Sequence, residues 1–132
     1  MRTLAVRTVV GIAVFMLLDG IWLGLVMKAW YRSHLAPIAR LADGGFAPNW
    51  PAALAVYLCL GMGLALFAAP RASGPLSAAG YGALFGLVVY GVYDFTNYAM
   101  LRQWPLALAL LDVAWGMVAS AAGTVAVWMV AR

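Results

Sequence analysis

The chain has 132 residues and a net charge of +4, with 67% hydrophobic and only 9% charged residues. Soluble domains carry about 25% charged residues, so this composition excludes an ordinary soluble domain. The apolar residues form runs of about 20, the length that a helix needs to cross a bilayer. The basic residues lie near the ends of these runs, as in membrane helices, and do not indicate nucleic-acid binding. The sequence therefore predicts an integral membrane protein whose main partner is the lipid bilayer.

Four apolar segments are predicted to span the membrane. They cover residues 4–27, 50–69, 76–100 and 105–130. The polar segment 28–49 mixes basic and aromatic residues and is predicted to lie along the headgroup region. Together these segments predict one transmembrane domain over residues 1–132, folded as an all-α four-helix bundle. An even number of spans places both ends of the chain on one side of the membrane, here called side A, and the opposite side is side B.

A weak internal repeat accompanies this organisation. NWPAALA opens the second span and QWPLALA opens the fourth, so that each helix entered from side B begins with an amide residue and Trp-Pro. The repeat would pair spans 1–2 with spans 3–4 as two hairpins of the same orientation, as in some transporters. Shared chemistry at the membrane surface explains the match equally well.

The basic residues divide equally between the two sides. Side A carries Arg2, Arg7, Arg71 and Arg132, and side B carries Lys28, Arg32, Arg40 and Arg102. Counting Lys and Arg therefore does not orient the protein. The weight of the first helix favours side A as the cytoplasmic side.

Three of the four acidic residues lie inside the spans. Asp19 is about eight residues from the side B end of its span, Asp94 about six and Asp112 about seven. At ~1.5 Å of rise per residue, all three lie roughly 9–12 Å from the side B boundary. Asp43 lies in the polar segment beside Gly44 and is predicted to be a solvated turn residue. Intramembrane carboxylates are costly and face the bundle interior, so the three are expected to share a site.

Polar and aromatic neighbours are predicted to complete this site. Asn97, Tyr90 and Tyr98 lie three or four residues from Asp94, on the same helix face. Trp22 and Trp115 each follow an aspartate by three residues, in LLDGIW and LLDVAW. The hypothesised ligand-binding residues are Asp19, Trp22, Tyr90, Asp94, Asn97, Tyr98, Asp112 and Trp115. Lys28, Arg32, Arg40 and Arg102 are predicted to form the rim of this pocket.

Other features predict packing or interface placement. Small residues at i and i+4 allow close helix contact, and they occur at Gly20 and Gly24, Gly82 and Gly86, and Gly116 and Ser120. Trp30, Tyr31, Trp50 and Trp104 are predicted to form an aromatic belt at side B. His34 has no Cys or His companion, so no metal site is predicted. The chain has no phosphate loop or nucleotide fingerprint, and no cofactor is predicted.

The chain resembles a family of small bacterial membrane proteins of unknown function. LLDGIW, YDFTNYAMLRQWP and LLDVAWG carry the resemblance, which covers nearly the whole chain. It implies a four-span protein of the bacterial inner membrane. Members of the family often accompany genes of lipid modification and photo-oxidative stress, and the family carries no established activity. Its motif residues in this sequence are Asp19, Trp22, Asp94, Asn97, Trp104, Pro105, Asp112 and Trp115.

Three functions remain open. The acidic cluster favours a protein that binds or transports a proton, a cation or another small ligand, with a homodimer forming the pathway. An accessory subunit that pairs its aspartates with a partner membrane protein is the second alternative. A membrane enzyme or accessory factor of lipid modification, with an aspartate as general acid or base, is the third and the least favoured. Buried polar groups that only hold helices together would also account for each aspartate taken singly.

Overall fold

The computed structural model describes the backbone of residues 2–132 and the side chains of residues 3–132. The side chain of Arg2, counted above among the side A cations, lies outside the described residues. Within them the chain forms five α-helices and one small hairpin. These are α1 Arg2–Ile21, α2 Lys28–Leu35, β1 Leu41–Ala42, β2 Gly45–Phe46, α3 Trp50–Gly63, α4 Pro75–Met100 and α5 Leu106–Val130.

Four of the helices are long and apolar enough to cross a membrane, which confirms the predicted all-α membrane bundle. α1 continues through a π-helical turn, Trp22–Val26. α3 continues through a π-helical turn, Leu64–Ala68, and then a 3-10 turn, Ala69–Arg71. With these extensions the spans cover Thr3–Val26, Trp50–Arg71, Pro75–Met100 and Leu106–Val130. The protein is therefore a multi-pass membrane protein.

Proline marks the start of three spans. Pro51 occupies the first turn of α3, where its missing N–H leaves no hydrogen bond unmade. The Asn49 side chain caps the same helix by accepting a hydrogen bond from the Ala52 N–H at 3.2 Å. Pro75 begins α4, and Pro105 directly precedes α5. These residues fix where each helix begins, and so fix the depth of the residues that follow.

Helix α5 packs against α4 on one side and against α1 on the other, while α1 also packs against α3. Glycine brings α4 and α5 together. A Cβ added to Gly82 would lie 2.8 Å from Ala121 Cα, and one added to Gly86 would lie 2.8 Å from Met117 Cα. Both distances are shorter than a van der Waals contact, so the two backbones touch directly. The predicted packing role of these small residues is confirmed.

A second close approach joins α1 to α3. A Cβ on Gly11 would lie 3.0 Å from Gly61 Cα. The expected contact at Gly20 and Gly24 is wrong within the described residues, since no atom lies within 4 Å of a Cβ added at either position. Both glycines face outward near the side B end of α1.

The polar segment between the first two spans folds into α2 and the hairpin, neither of which the sequence pattern predicted. Leu41 pairs with Phe46 and Ala42 with Gly45. Asp43 and Gly44 form the two-residue turn, with φ of 49° and 79°. Positive φ at both positions is the type I′ geometry that Asp-Gly favours. Asp43 is exposed, as predicted for a turn residue.

Candidate functional site

Asp19 is the carboxylate with the most complete set of partners. The Tyr57 hydroxyl of α3 donates to its Oδ2 at 2.9 Å. The Trp115 indole of α5 donates to its Oδ1 at 2.8 Å. Only 9% of Asp19 is exposed. Because α1 supplies the acceptor and two other helices supply the donors, Asp19 ties three spans together.

Asp112 accepts a hydrogen bond from a residue that lies outside the membrane spans. The Tyr31 hydroxyl of α2 donates to Asp112 Oδ1 at 2.9 Å and accepts a hydrogen bond from the Trp22 indole at 3.1 Å. Tyr31 is buried, with 3% of its surface exposed. Burial and the neighbouring Asp112 carboxyl raise the pKa of Tyr31 above its usual value. The phenol therefore keeps its proton and remains a donor, and it fastens α2 onto the side B end of the bundle.

Trp22 of LLDGIW and Trp115 of LLDVAW do not donate a hydrogen bond to the aspartate of their own motif. The sequence placed Trp22 beside Asp19 and Trp115 beside Asp112. In the structure Trp115 donates to Asp19, and Trp22 reaches Asp112 through Tyr31. The two indoles stack with ring centroids 4.4 Å apart and an angle of 2° between their planes. This stack connects the two hydrogen-bonded groups into one network across α1, α2, α3 and α5.

Asp94 differs from the other two aspartates. It is fully buried in α4, with 0% of its surface exposed. No N–H or O–H group among the described residues donates a hydrogen bond to either of its carboxyl oxygens. Asn97, the partner expected one turn away, therefore does not donate to it. The neighbour of the Asp94 carboxyl is the Asp112 carboxyl, which lies close enough to interact with it directly.

The three carboxyls share one region of the bundle. Asp112 interacts electrostatically with Asp19 as well as with Asp94. Tyr90 lies within electrostatic range of all three carboxyls. Its ring packs against Gly116 of α5, where a Cβ would collide with it. The three carboxyls that the depth argument placed together are thus neighbours in the structure, although the sequence did not identify their hydrogen-bond partners.

Other predicted site residues lie further out. Tyr98 is 45% exposed on the outer surface of α4. All four predicted rim cations are exposed. Two of them lie over the hairpin, since a Cβ on Gly45 would be 3.6 Å from Lys28 Nζ and one on Gly44 would be 3.8 Å from Arg32 Nη1. Lys28 and Arg32 therefore lie beside the hairpin of the side B segment, and the rim stays a prediction.

Tyr31 and Tyr57 are the site residues that the sequence pattern did not identify. Tyr57 lies six residues after Pro51, and Asp112 lies seven after Pro105, so matching depth was a usable signal. The sequence predicts that Tyr31 and Trp104 belong to the aromatic belt at the membrane surface. Both are instead buried and pack together with Leu108. No sequence signal shows that an interfacial helix turns its tyrosine into the bundle.

The site is largely buried, since Asp19 is 9% exposed, Tyr31 3% and Asp94 0%. Two cavities lie away from it, one of about 190 Å³ at the side A end and one of about 290 Å³ beside Tyr81 on α4. Among the described residues, no three His, Cys, Asp or Glu side chains are arranged to hold a metal ion.

Comparison with known proteins gives a family but no relative of known activity. A family model described as "Predicted membrane protein (DUF2177)" matches residues 4–129. No curated protein matches the chain. No solved structure matches it either.

Proposed function

For this chain, which belongs to the DUF2177 family of predicted membrane proteins, we propose a function in binding and exchanging a proton. The proton would be held at the Asp94–Asp112 pair inside the membrane. The single observation that carries this proposal is Asp94, a fully buried carboxyl to which no N–H or O–H group of the described residues donates. Proton binding of this kind would serve a binding or transport protein.

The energetics support a protonated pair. An ionised carboxylate without donors costs several kcal/mol in an apolar interior. Two carboxylates side by side cannot both ionise at low cost, so they hold a shared proton. Asp94 has Asp112 as its neighbour and no basic partner. The pair therefore takes up one proton readily and gives it up when a route to water opens.

Asp112 supplies that route. It is partly exposed, whereas Asp94 is fully buried. Tyr31, which covers Asp112, belongs to the short interfacial helix α2 rather than to a span. Movement of α2 away from the bundle would uncover Asp112 on side B. A proton would then pass from the side B surface to Asp112 and on to Asp94.

Asp19 has a different role in this proposal. Two hydrogen bonds already satisfy its carboxyl, and they join three spans. Asp19 therefore stabilises the bundle and holds the Trp115 indole, on which Trp22 stacks. The alternative of a partner subunit that pairs a cation with Asp94 is disfavoured, because no surface of Asp94 is exposed to a partner helix.

Infrared spectroscopy of the purified protein in liposomes tests the proposal. The carbonyl stretch of a protonated carboxylic acid is measured across a pH titration. We expect the wild type to show this band and Asp94→Asn to lose it, with Asp43→Asn as a control that changes an exposed loop carboxylate. If Asp94→Asn and Asp112→Asn both keep the full band, the proton is elsewhere and the proposal fails.

Proton movement is measured separately with a pH-sensitive dye trapped inside the liposomes. We expect an imposed pH gradient to collapse faster with the wild type than with Asp94→Asn or Asp112→Asn. Equal rates for the wild type and both variants would contradict proton exchange through the pair.

A further inference from the structure

A cavity of about 190 Å³ lies at the side A end of the bundle, on the opposite side of the membrane from the aspartates. Three parts of the chain form it: α1 at Arg7, the turn from Ala69 to Ala72, and the end of α5 at Trp128 and Arg132. The Trp128 indole donates to the Ala72 carbonyl at 3.2 Å, which holds two of these walls together. The cavity is thus part of the packed bundle.

Two guanidinium groups line this cavity. Arg7 makes one long hydrogen bond, from Nη2 to the Ala131 carbonyl at 3.4 Å. Its Nε is buried and has no hydrogen-bond partner among the described residues. The Arg132 guanidinium lies 4.7 Å from the centre of the Trp128 ring, which orients it at the edge of the cavity. Arg7 and Arg132 therefore both place guanidinium N–H donors beside the same cavity, and apart from the bond to Ala131 these donors have no acceptor among the described residues.

None of the four aspartate side chains lies near these cations. All four acidic side chains of the sequence are aspartates, and all of them belong to the side B half of the bundle or to the side B loop. The nearest along α1 is Asp19, twelve residues after Arg7, which is about 18 Å of helix. The donors of the two guanidiniums therefore remain available to an anion from outside the chain.

We propose that this cavity binds the phosphate group of an anion at the side A membrane surface, supplied by an anionic lipid headgroup or by free phosphate. Guanidinium donors match the oxygens of a phosphate in a planar, two-pronged geometry. Ordinary small-molecule pockets measure about 300–1,000 Å³, so this smaller cavity fits one headgroup phosphate rather than a larger organic ligand. The site is independent of the proposed proton site.

The test uses the purified full chain in an uncharged detergent. Native mass spectrometry measures the binding of short-chain phosphatidylglycerol to the wild type, Arg7→Gln, Arg132→Gln and Arg102→Gln. Charge-assisted hydrogen bonds contribute about 1.5–3 kcal/mol, so each side A substitution is expected to weaken binding by roughly tenfold or more. Arg102 is exposed at side B, outside the cavity, and its variant is expected to bind as the wild type does.

Inorganic phosphate, added as a competitor, distinguishes the two sources. Displacement of the lipid at millimolar phosphate assigns the site to free phosphate, and retention assigns it to the headgroup; both outcomes support the phosphate site. Wild-type binding in Arg132→Gln would overturn it, as would an equal loss in Arg102→Gln. If Arg7→Gln does not fold, Arg132→Gln decides alone, because its guanidinium makes no hydrogen bond within the described chain.

Discussion

Asp19 and Asp94 are both buried carboxyls at similar depth, but their surroundings predict opposite responses to the same substitution. Asp19 accepts two hydrogen bonds, one on each oxygen. In Asp19→Asn one of these two oxygens becomes an NH2 group, which cannot accept a hydrogen bond, so the donor that reaches it loses its partner. Hydrogen bonds between membrane helices contribute about 0.6 kcal/mol on average and up to about 1.7. We expect Asp19→Asn to lower the free energy of unfolding by about 1–2 kcal/mol, measured by denaturant titration in detergent.

Asp94→Asn is the matched comparison. No N–H or O–H group of the described residues donates to the two carboxyl oxygens of wild-type Asp94, so the substitution leaves no such donor without its acceptor. We expect its free energy of unfolding to equal or exceed that of the wild type, within about 1 kcal/mol. A greater loss of stability in Asp94→Asn than in Asp19→Asn would contradict the division into one structural and one proton-binding carboxyl.

At the residue scale the sequence predicted which acids converge but not what they bind to. Depth depends only on the rise per residue, which is nearly constant, so Asp19, Asp94 and Asp112 could be placed together. Partners depend on the rotation of each helix about its axis. The π-helical turn that begins at Trp22 changes that rotation locally. The Trp22 indole consequently donates its hydrogen bond to Tyr31 rather than to Asp19. Such a turn has no clear sequence signal.

The contact between α4 and α5 depends on glycine at defined positions. A Cβ on Gly86 would collide with the backbone of Gly116 and Met117, whereas Gly80 of the same helix has no atom within 4 Å of an added Cβ. Overpacking of this kind costs about 1–3 kcal/mol. We expect Gly86→Ala to lower the unfolding temperature in detergent. Gly80→Ala should leave it unchanged or raise it, because alanine favours a helix by about 1 kcal/mol over glycine.

The Tyr31 hydroxyl joins α2 to the bundle through two hydrogen bonds. Tyr31→Phe keeps the buried ring but removes the donor to Asp112 and the acceptor for Trp22. We expect amide hydrogen exchange over residues 28–35 to become faster in Tyr31→Phe while exchange in α5 stays unchanged. Tyr98→Phe, which alters an exposed tyrosine of α4, serves as the control. Unchanged exchange in Tyr31→Phe would show that apolar packing alone holds α2.

At the scale of elements, hydropathy located the long helices and missed the short ones. Each span is a continuous apolar run, and three of the four have Pro near their start, so composition alone places them. α2 has eight residues, and the strands have two each. These elements form because Tyr31 reaches Asp112 and because Asp43-Gly44 makes a tight turn. Both causes depend on tertiary contacts or backbone angles that hydropathy does not record.

Charge is distributed unevenly over the whole molecule. Side B has every aspartate and four of the basic residues, whereas side A has basic residues alone. The sequence shows this separation fully, because it follows from the order of the spans. It does not show whether two copies associate, and the homodimer and the weak two-hairpin repeat stay predictions. The uneven charge nevertheless gives the two ends different chemistry, with proton binding proposed at one and anion binding at the other.

The orientation in the membrane is the remaining prediction at this scale. Acidic residues contribute little to topology, and the basic residues are equal on both sides, so the first helix is expected to decide and to leave side A in the cytoplasm. Single cysteines are introduced at exposed serines, Ser73→Cys on side A and Ser33→Cys on side B, in a Cys59→Ser background. A membrane-impermeant maleimide added to intact bacterial spheroplasts should label Ser33→Cys at once, and Ser73→Cys only after lysis. The reverse pattern would invert the orientation. Labelling of both before lysis would mean that the equal charges allow both orientations, in which case the first helix does not decide.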